Sequence, residues 1–160
     1  MLVGVLADTH HQLPKAVFQI FADCDLILHA GDIGTPQIIQ ELSAIAPVYA
    51  VLGNIDSQKD YPGLSSDYLV TLAGQAVYMT HTPTAAEHYL RQATGQGGAP
   101  RLPEICIHGH THQARNELLY NVHIVNPGST TSPKPGHQPS VALLTLTPGS
   151  LEKVTFHALA

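Results

Sequence analysis

The sequence predicts an α/β fold in which two mixed β-sheets pack face to face with helices on their outer faces, a four-layer α-β-β-α sandwich. Three observations lead there. Through the first half of the chain, short apolar runs alternate with helical patterns, as in strand-helix-strand units of a largely parallel sheet. The second half is a series of strands joined by turns, which reads as mostly antiparallel. The 160 residues are 44% hydrophobic, enough for one substantial core and short for two, so residues 1–160 read as a single domain.

The elements follow in order. Leu2 to Ala7 is a buried strand, and Pro14 opens a helix whose Ala16, Val17, Ile20 and Phe21 share one face. Asp25 to Ala30 is the second strand. Thr35-Pro36 supplies the cap and first position of a helix carrying Ile38, Ile39, Leu42 and Ile45. Pro47 ends it, and Val48 to Leu52 is the third strand. Tyr68 to Leu72 and Ala76 to Met79 flank Ala73-Gly74-Gln75 as a hairpin. Thr84-Ala85-Ala86-Glu87 has the form of a capping box, which predicts a helix from there to about Gly95. Gln96 to Pro103 reads as an exposed loop. Glu104 to Ile107, Glu117 to Tyr120, Val122 to Val125, Val141 to Thr147 and Leu151 to His157 are further strands. Asn126-Pro127-Gly128-Ser129 and Thr147-Pro148-Gly149-Ser150 place Pro then Gly where type II turns prefer them. Thr130 to Pro139, with three prolines and a glycine, is expected to be a mobile loop.

Composition narrows the function. A formal charge of −5, with 7 Lys+Arg against 12 Asp+Glu, lacks the basic footprint that extended nucleic acid requires. No apolar stretch is long enough to span a bilayer, and Met1 lacks the basic flank of a signal peptide. Cys24 and Cys106, distant from each other and in apolar surroundings, read as buried thiols in a reducing compartment, which makes the cytoplasm the expected address. Histidine is abundant, with 11 residues. It is the commonest protein metal ligand.

Apolar strand after apolar strand ends in residues able to bind a metal. The first leads to Asp8-Thr9-His10, the second to Gly31-Asp32, and the third to Gly53-Asn54-Ile55-Asp56. Val77 to Thr80 leads to His81, and Ile105 to Ile107 leads to His108-Gly109-His110-Thr111-His112. Ligands of open α/β sheets bind outside the carboxyl ends of the strands, so these groups can converge. Glycines 31, 53 and 109 would permit sharp turns or close approach there. Each motif alone has an ordinary reading as a turn or a packed histidine. The ordered series points to one shared metal site. Carboxylate, amide and imidazole donors without thiolate suit a borderline divalent ion.

With these segments quoted, the chain resembles the calcineurin-like metallophosphoesterases, and within them the compact bacterial and archaeal phosphodiesterases related to the Vps29-like retromer subunits. The resemblance runs from Asp8 to about Ser129. It implies a sandwich of two sheets flanked by helices. It also implies two divalent ions per chain, manganese first, with iron, zinc, nickel or cobalt as alternatives. One would be held by Asp8, His10 and His112, the other by Asn54, His81 and His110, with Asp32 bridging both. Asp32, Asn54 and His81 are the residues it points to for catalysis. The expected reaction is attack by a metal-bridging hydroxide on a small phosphate ester, a diester first, with no nucleophilic side chain. A homo-oligomer is compatible with the sequence.

Two departures stand out. Many larger members carry His directly after Gly-Asn, near the leaving group, where this chain has Ile55; after His81 the family often continues Gly-His, and here Thr82-Pro83 follows. Lacking that general acid, the enzyme should favour aryl phosphodiesters over alkyl monoesters. The competing reading is a metal-binding scaffold of the same fold that holds partner proteins with little catalysis. The Pro-rich stretch around Pro133 and Pro135 favours it, and the full set of seven ligand-type residues opposes it. His29 and His108 are expected to orient their neighbours, His11 to lie in an exposed loop, and Arg91 and Arg101 to be solvated. Other hydrolase signatures are missing: the chain has no Gly-x-Ser-x-Gly elbow and no Gly-x-x-x-x-Gly-Lys-Ser/Thr loop.

Overall fold

Period-two burial along the first strand sets the layers. In β1 (Leu2–Leu6), Val3 and Val5 face one core, while Leu2 and Leu6 face another. The computed structural model describes residues 1–95 and 100–159. After β1 come α1 (Lys15–Ile20), β2 (Leu26–His29), α2 (Pro36–Ser43), β3 (Val48–Ala50), β4 (Asp67–Leu72), β5 (Gln75–Thr80), α3 (Pro83–Thr94) and β6 (Ile105–Ile107). The chain ends with β7 (Arg115–Leu119), β8 (Val122–Asn126), β9 (Ser140–Thr147) and β10 (Ser150–Ala158).

The strands form two five-stranded sheets, ordered β10-β9-β1-β2-β3 and β4-β5-β6-β8-β7. Val3, Val5, Leu26 and Leu28 of the first meet Val77, Met79, Ile105, Ile107 and Val125 of the second in the central core. On the outer face of the first sheet, Leu6, Ile27 and Val141 pack with Val17 and Phe21 near α1 and Ile38 and Leu42 of α2. Gly4 leaves room there, since a methyl group at its Cα would lie 3.0 Å from the Phe21 ring. On the outer face of the second sheet, Tyr78, Cys106 and Ile124 pack on Ala86 and Leu90 of α3. The α-β-β-α sandwich expected from the sequence is the fold. Among the described residues, no helix is long and apolar enough to cross a membrane.

Several expectations need correction. The chain does not divide into a parallel first half and an antiparallel second half. β1 pairs parallel with β2 but antiparallel with β9, and β6 is parallel to both β5 and β8. Thr84 does not cap α3. Thr82 takes that position, its Oγ1 accepting from the Ala85 amide at 3.2 Å, because Pro83 suits the first helical position and needs a cap immediately before it. Pro14 is likewise the N-cap of α1, not a residue of its first turn. Of the loop from Gln96 to Pro103, residues 96–99 lie outside the described residues, Arg101 is exposed and Pro103 is buried. The stretch from Thr130 forms no regular element, yet Thr130 is buried and its amide donates to the Ala7 carbonyl at 3.1 Å.

Candidate metal centre

β1, β2 and β3 run parallel, as do β5 and β6, so the segments that follow them emerge at the same ends of their sheets. The first sheet contributes Asp8, His10, Asp32 and Asn54; the second contributes His81, His110 and His112. Five of these seven residues, Asp8, His10, Asp32, His110 and His112, have positive φ, from 45° to 68°. Left-handed backbone at non-glycine residues is uncommon and costs free energy, and it concentrates where a site fixes geometry. Glycines give the loops their closeness. Gly31 itself has φ +91°, and a methyl group at Gly53 would overlap the Asp32 amide nitrogen and Oδ1.

Ligand atoms of Asp8, His10, Asp32 and His112 all lie within 4.8 Å of one another. His112 Nε2 is 3.3 Å from Asp8 Oδ1, and His10 Nε2 is 3.5 Å from Asp32 Oδ2. On the other side of Asp32, His81 Nε2 is 3.3 Å from Oδ1. The four histidines form two edge-to-face pairs, His10 with His112 and His81 with His110, each with ring centroids 5.2 Å apart. Asn54 is exposed and lines a hollow with His81, Ser66 and Thr82.

The rings are aimed by their far nitrogens. His81 Nδ1 lies 2.7 Å from the Ala30 carbonyl and His112 Nδ1 2.5 Å from the Ser132 carbonyl, so each donates there and presents its Nε2 lone pair to the carboxylates. Asp8 Oδ2 accepts from the His110 amide at 3.1 Å, and Asp32 Oδ1 from the Ile55 amide at 3.1 Å. Burial pushes the Asp8 carboxyl above its ordinary range against the pull of His81 and His112. Burial would raise Asp32 as well, but the adjacent His81 ring and the Ile55 amide hold it down, at about 2.

Beneath these loops lies a layer that sequence reading missed in part. Asp56 accepts from the amides of Ile33, Gly34 and Gly53 at 3.1, 3.0 and 2.8 Å, clamping the Asp32 loop to the Asn54 loop. Asn126, fully buried, donates to the Gly109 carbonyl and Thr111 Oγ1 at 3.0 and 2.9 Å, and Ser129 donates to the Asp8 carbonyl at 3.0 Å. The Asn126-Pro127-Gly128-Ser129 turn therefore holds the centre together, whereas Pro148-Gly149 forms the tip of the β9–β10 hairpin, away from the metal centre, and bonds there to Ala73. His29 orients its surroundings as expected. Its Nε2 contacts Thr9 Oγ1 at 3.0 Å, its Nδ1 accepts from the Gly31 amide at 3.2 Å, and Thr9 donates onward to the Ile33 carbonyl at 2.8 Å. His108 sits against the Gly109 carbonyl and Asn126. His11 is exposed, and Arg91 and Arg101 pair at the surface with Glu87 and Glu104. Both cysteines are free and buried.

The donor set fits a divalent cation. Asp8 Oδ1, His10 Nε2 and His81 Nε2 are buried and lack a hydrogen-bond partner, although buried polar atoms are nearly always satisfied. All three face the same small volume around Asp32, where a cation would satisfy them together.

Residues 1–149 match the calcineurin-like phosphoesterase superfamily domain. The chain belongs to this superfamily. Its metallophosphoesterase character extends to curated relatives: it is 37% identical to a probable metallophosphoesterase of Methanothermobacter thermautotrophicus, over 84% of this chain and 80% of that one. It is 26% identical to a phosphodiesterase of Methanocaldococcus jannaschii, over 80% of this chain and 83% of that one. Among solved structures it resembles an archaeal phosphodiesterase with TM-score 0.78 and 22% identity, covering 99% of each chain. It also resembles wild-type Vps29 of Entamoeba histolytica in complex with zinc, with TM-score 0.73 and 21% identity, covering 100% of each. The superfamily is metal-dependent, and Asp8, His10, Asp32 and His112 give this member a candidate metal-binding cluster.

Proposed function

We propose that this chain is a phosphodiesterase that works with two divalent metal ions. The observation that supports it best is that the two oxygens of Asp32 face different histidine pairs, Oδ2 facing His10, which packs on His112, and Oδ1 facing His81, which packs on His110. In this reading Asp8, His10 and His112 hold one ion, Asn54, His81 and His110 hold the other, and Asp32 is shared. Bound ions would supply a nucleophile from water at neutral pH and offset charge on the phosphoryl oxygens.

The chain's own contribution is positional. Burial of Asp8 and Asp32 keeps competing water from the carboxylates, the Ala30 and Ser132 carbonyls fix the tautomers of His81 and His112, and partial exposure of His10 and His112 leaves the centre open to a substrate. Ile55, 46% exposed beside Asn54, offers no proton to a leaving group. Good leaving groups are therefore the expected substrates, which favours aryl diesters over alkyl monoesters. Manganese is the first ion to try.

Ile55 also favours the second reading, a scaffold with little catalysis. Hydrolysis of bis(p-nitrophenyl) phosphate by metal-stripped protein, with and without added Mn²⁺ and beside Asp32→Asn, separates the two. Metal-dependent turnover that the variant loses is the expected result. Metal binding without turnover, across Mn²⁺, Co²⁺, Ni²⁺ and Zn²⁺, would put the scaffold first.

A further inference from the structure

Beside the metal centre, a pocket of about 370 Å³ is lined by Thr111, Gln113, Arg115 and Lys134. Thr111 lies between His110 and His112 in the chain, and the Lys134 amide donates to the His112 carbonyl at 3.0 Å, so the pocket lies beside the loop that carries these two histidines. In a chain with 7 Lys+Arg against 12 Asp+Glu, it gathers two cations and, among the described residues, no carboxylate. Glu117, the ion-pair partner of Arg115 at 2.6 Å, is not part of its lining. Lys134 has no carboxylate partner among the described residues; its Nζ reaches only Gln113 Oε1, at 3.4 Å.

Lys134 is also held more firmly than its exposure implies. Its amide donates to the carbonyl of His112 at 3.0 Å, its carbonyl accepts from the His137 amide at 2.9 Å, and Pro133 and Pro135 restrict the backbone on either side. The Pro-rich stretch thus fixes the backbone from which Lys134 projects to the loop that carries His110 and His112. A lysine with three donors and no acceptor, beside an arginine and an amide, is complementary to a phosphate.

We propose that this pocket is an anion subsite, with Lys134 and Arg115 as specificity-determining residues for a substrate that carries a second phosphate on one arm of the scissile diester. The inference rests on the phosphodiesterase reading for its reaction, but the subsite can be read without turnover.

Two matched probes test it on metal-loaded protein: thymidine 5′-(p-nitrophenyl phosphate) and its 3′-phosphorylated counterpart, which differ only by the extra phosphate. The wild type is expected to favour the phosphorylated probe in kcat/KM, and Lys134→Ala to cut that preference about tenfold, with Lys134→Arg restoring most of it. In parallel, calorimetry compares thymidine 3′,5′-bisphosphate with thymidine 5′-monophosphate, where the affinity ratio should fall by a similar factor in Lys134→Ala. No preference in the wild type, or the same preference in Lys134→Ala, overturns the subsite even if both probes are hydrolysed. A Lys134-dependent affinity ratio without hydrolysis upholds the subsite and sinks the phosphodiesterase reading instead.

Discussion

His81 Nδ1 lies 2.7 Å from the carbonyl oxygen of Ala30, two residues before Asp32, so a ring from the second sheet is oriented by the very loop of the first sheet whose carboxylate it faces. The lone pair on Nε2 is thereby committed to the Asp32 side. In the two-ion reading, wild type binds two Mn²⁺ per chain, His81→Ala retains one, and Asp32→Asn weakens both. Metal analysis after equilibrium dialysis gives the counts, with circular dichroism confirming that each variant is folded. A wild-type stoichiometry of one ion would refute the dinuclear centre.

Among the described residues, Asp56 is hydrogen-bonded to none of the seven ligand-type side chains; it holds the amides of Ile33, Gly34 and Gly53. Asp56→Asn replaces one acceptor oxygen by a donor that faces those N–H groups. Metal affinity should fall by about 10- to 100-fold, as when a ligand's supporting hydrogen bonds are removed. Stability should fall by about 1–3 kcal/mol. Calorimetric titration and urea unfolding of the metal-free protein measure the two effects separately, and unchanged metal affinity would show that the clamp is dispensable.

His29 is fully buried, and burial drives its imidazole from 6.5 down to about 4. Its native form is neutral, with the proton on Nε2 toward Thr9 and Nδ1 accepting from Gly31. Because the folded pKa lies below the unfolded one, the unfolded chain takes up this proton first as pH falls. The contribution of His29 is complete above about pH 6.5 and is lost progressively toward pH 4, about 3 kcal/mol in all. Nitrogen-15 NMR of the imidazole should show a neutral Nε2–H tautomer at pH 5.5; a charged ring at that pH would contradict this account.

Ile55 is exposed next to Asn54, so a larger polar side chain there has room. Ile55→His is expected to raise turnover of alkyl phosphate esters roughly 10²-fold, the low end of what a placed general acid contributes. Rates on aryl diesters, whose leaving group needs little protonation, should change far less. Comparable gains on both substrate types would show that the histidine acts by some other route than protonation.

The strands and the ligand-type residues were legible because both are local patterns: an apolar run followed at once by Asp, Asn or His. Asp8, Asp32 and His81 each announce themselves at the end of their own strand. Sheet membership was not legible in the same way, since β9 lies beside β1 and β8 beside β6 through contacts far apart in sequence. The supporting layer was hidden for the same reason. Ser129 reaches the Asp8 carbonyl across 121 residues and Asp56 reaches Ile33 across 23, and the turn motifs that contain them do not say which distant backbone groups they hold. The cap of α3 departs from the sequence reading for a different reason: Thr84-Ala85-Ala86-Glu87 matches a motif, but Pro83 sets the helix start two residues earlier, with Thr82 as its cap.

At the end of the molecule away from the centre, the two sheets are tied where the Gly149 amide donates to the Ala73 carbonyl at 2.7 Å, joining one hairpin tip to another. At the other end the tie is the cluster itself, with Asp8, His10 and Asp32 on one sheet and His81 and His112 on the other. A cation bound there would rivet the sandwich shut. Free metal at a thousand times its dissociation constant adds about 4 kcal/mol to the folded state, a large share of what holds a domain of this size together. Metal supply would then govern not only how fast this protein works but how readily each copy unfolds.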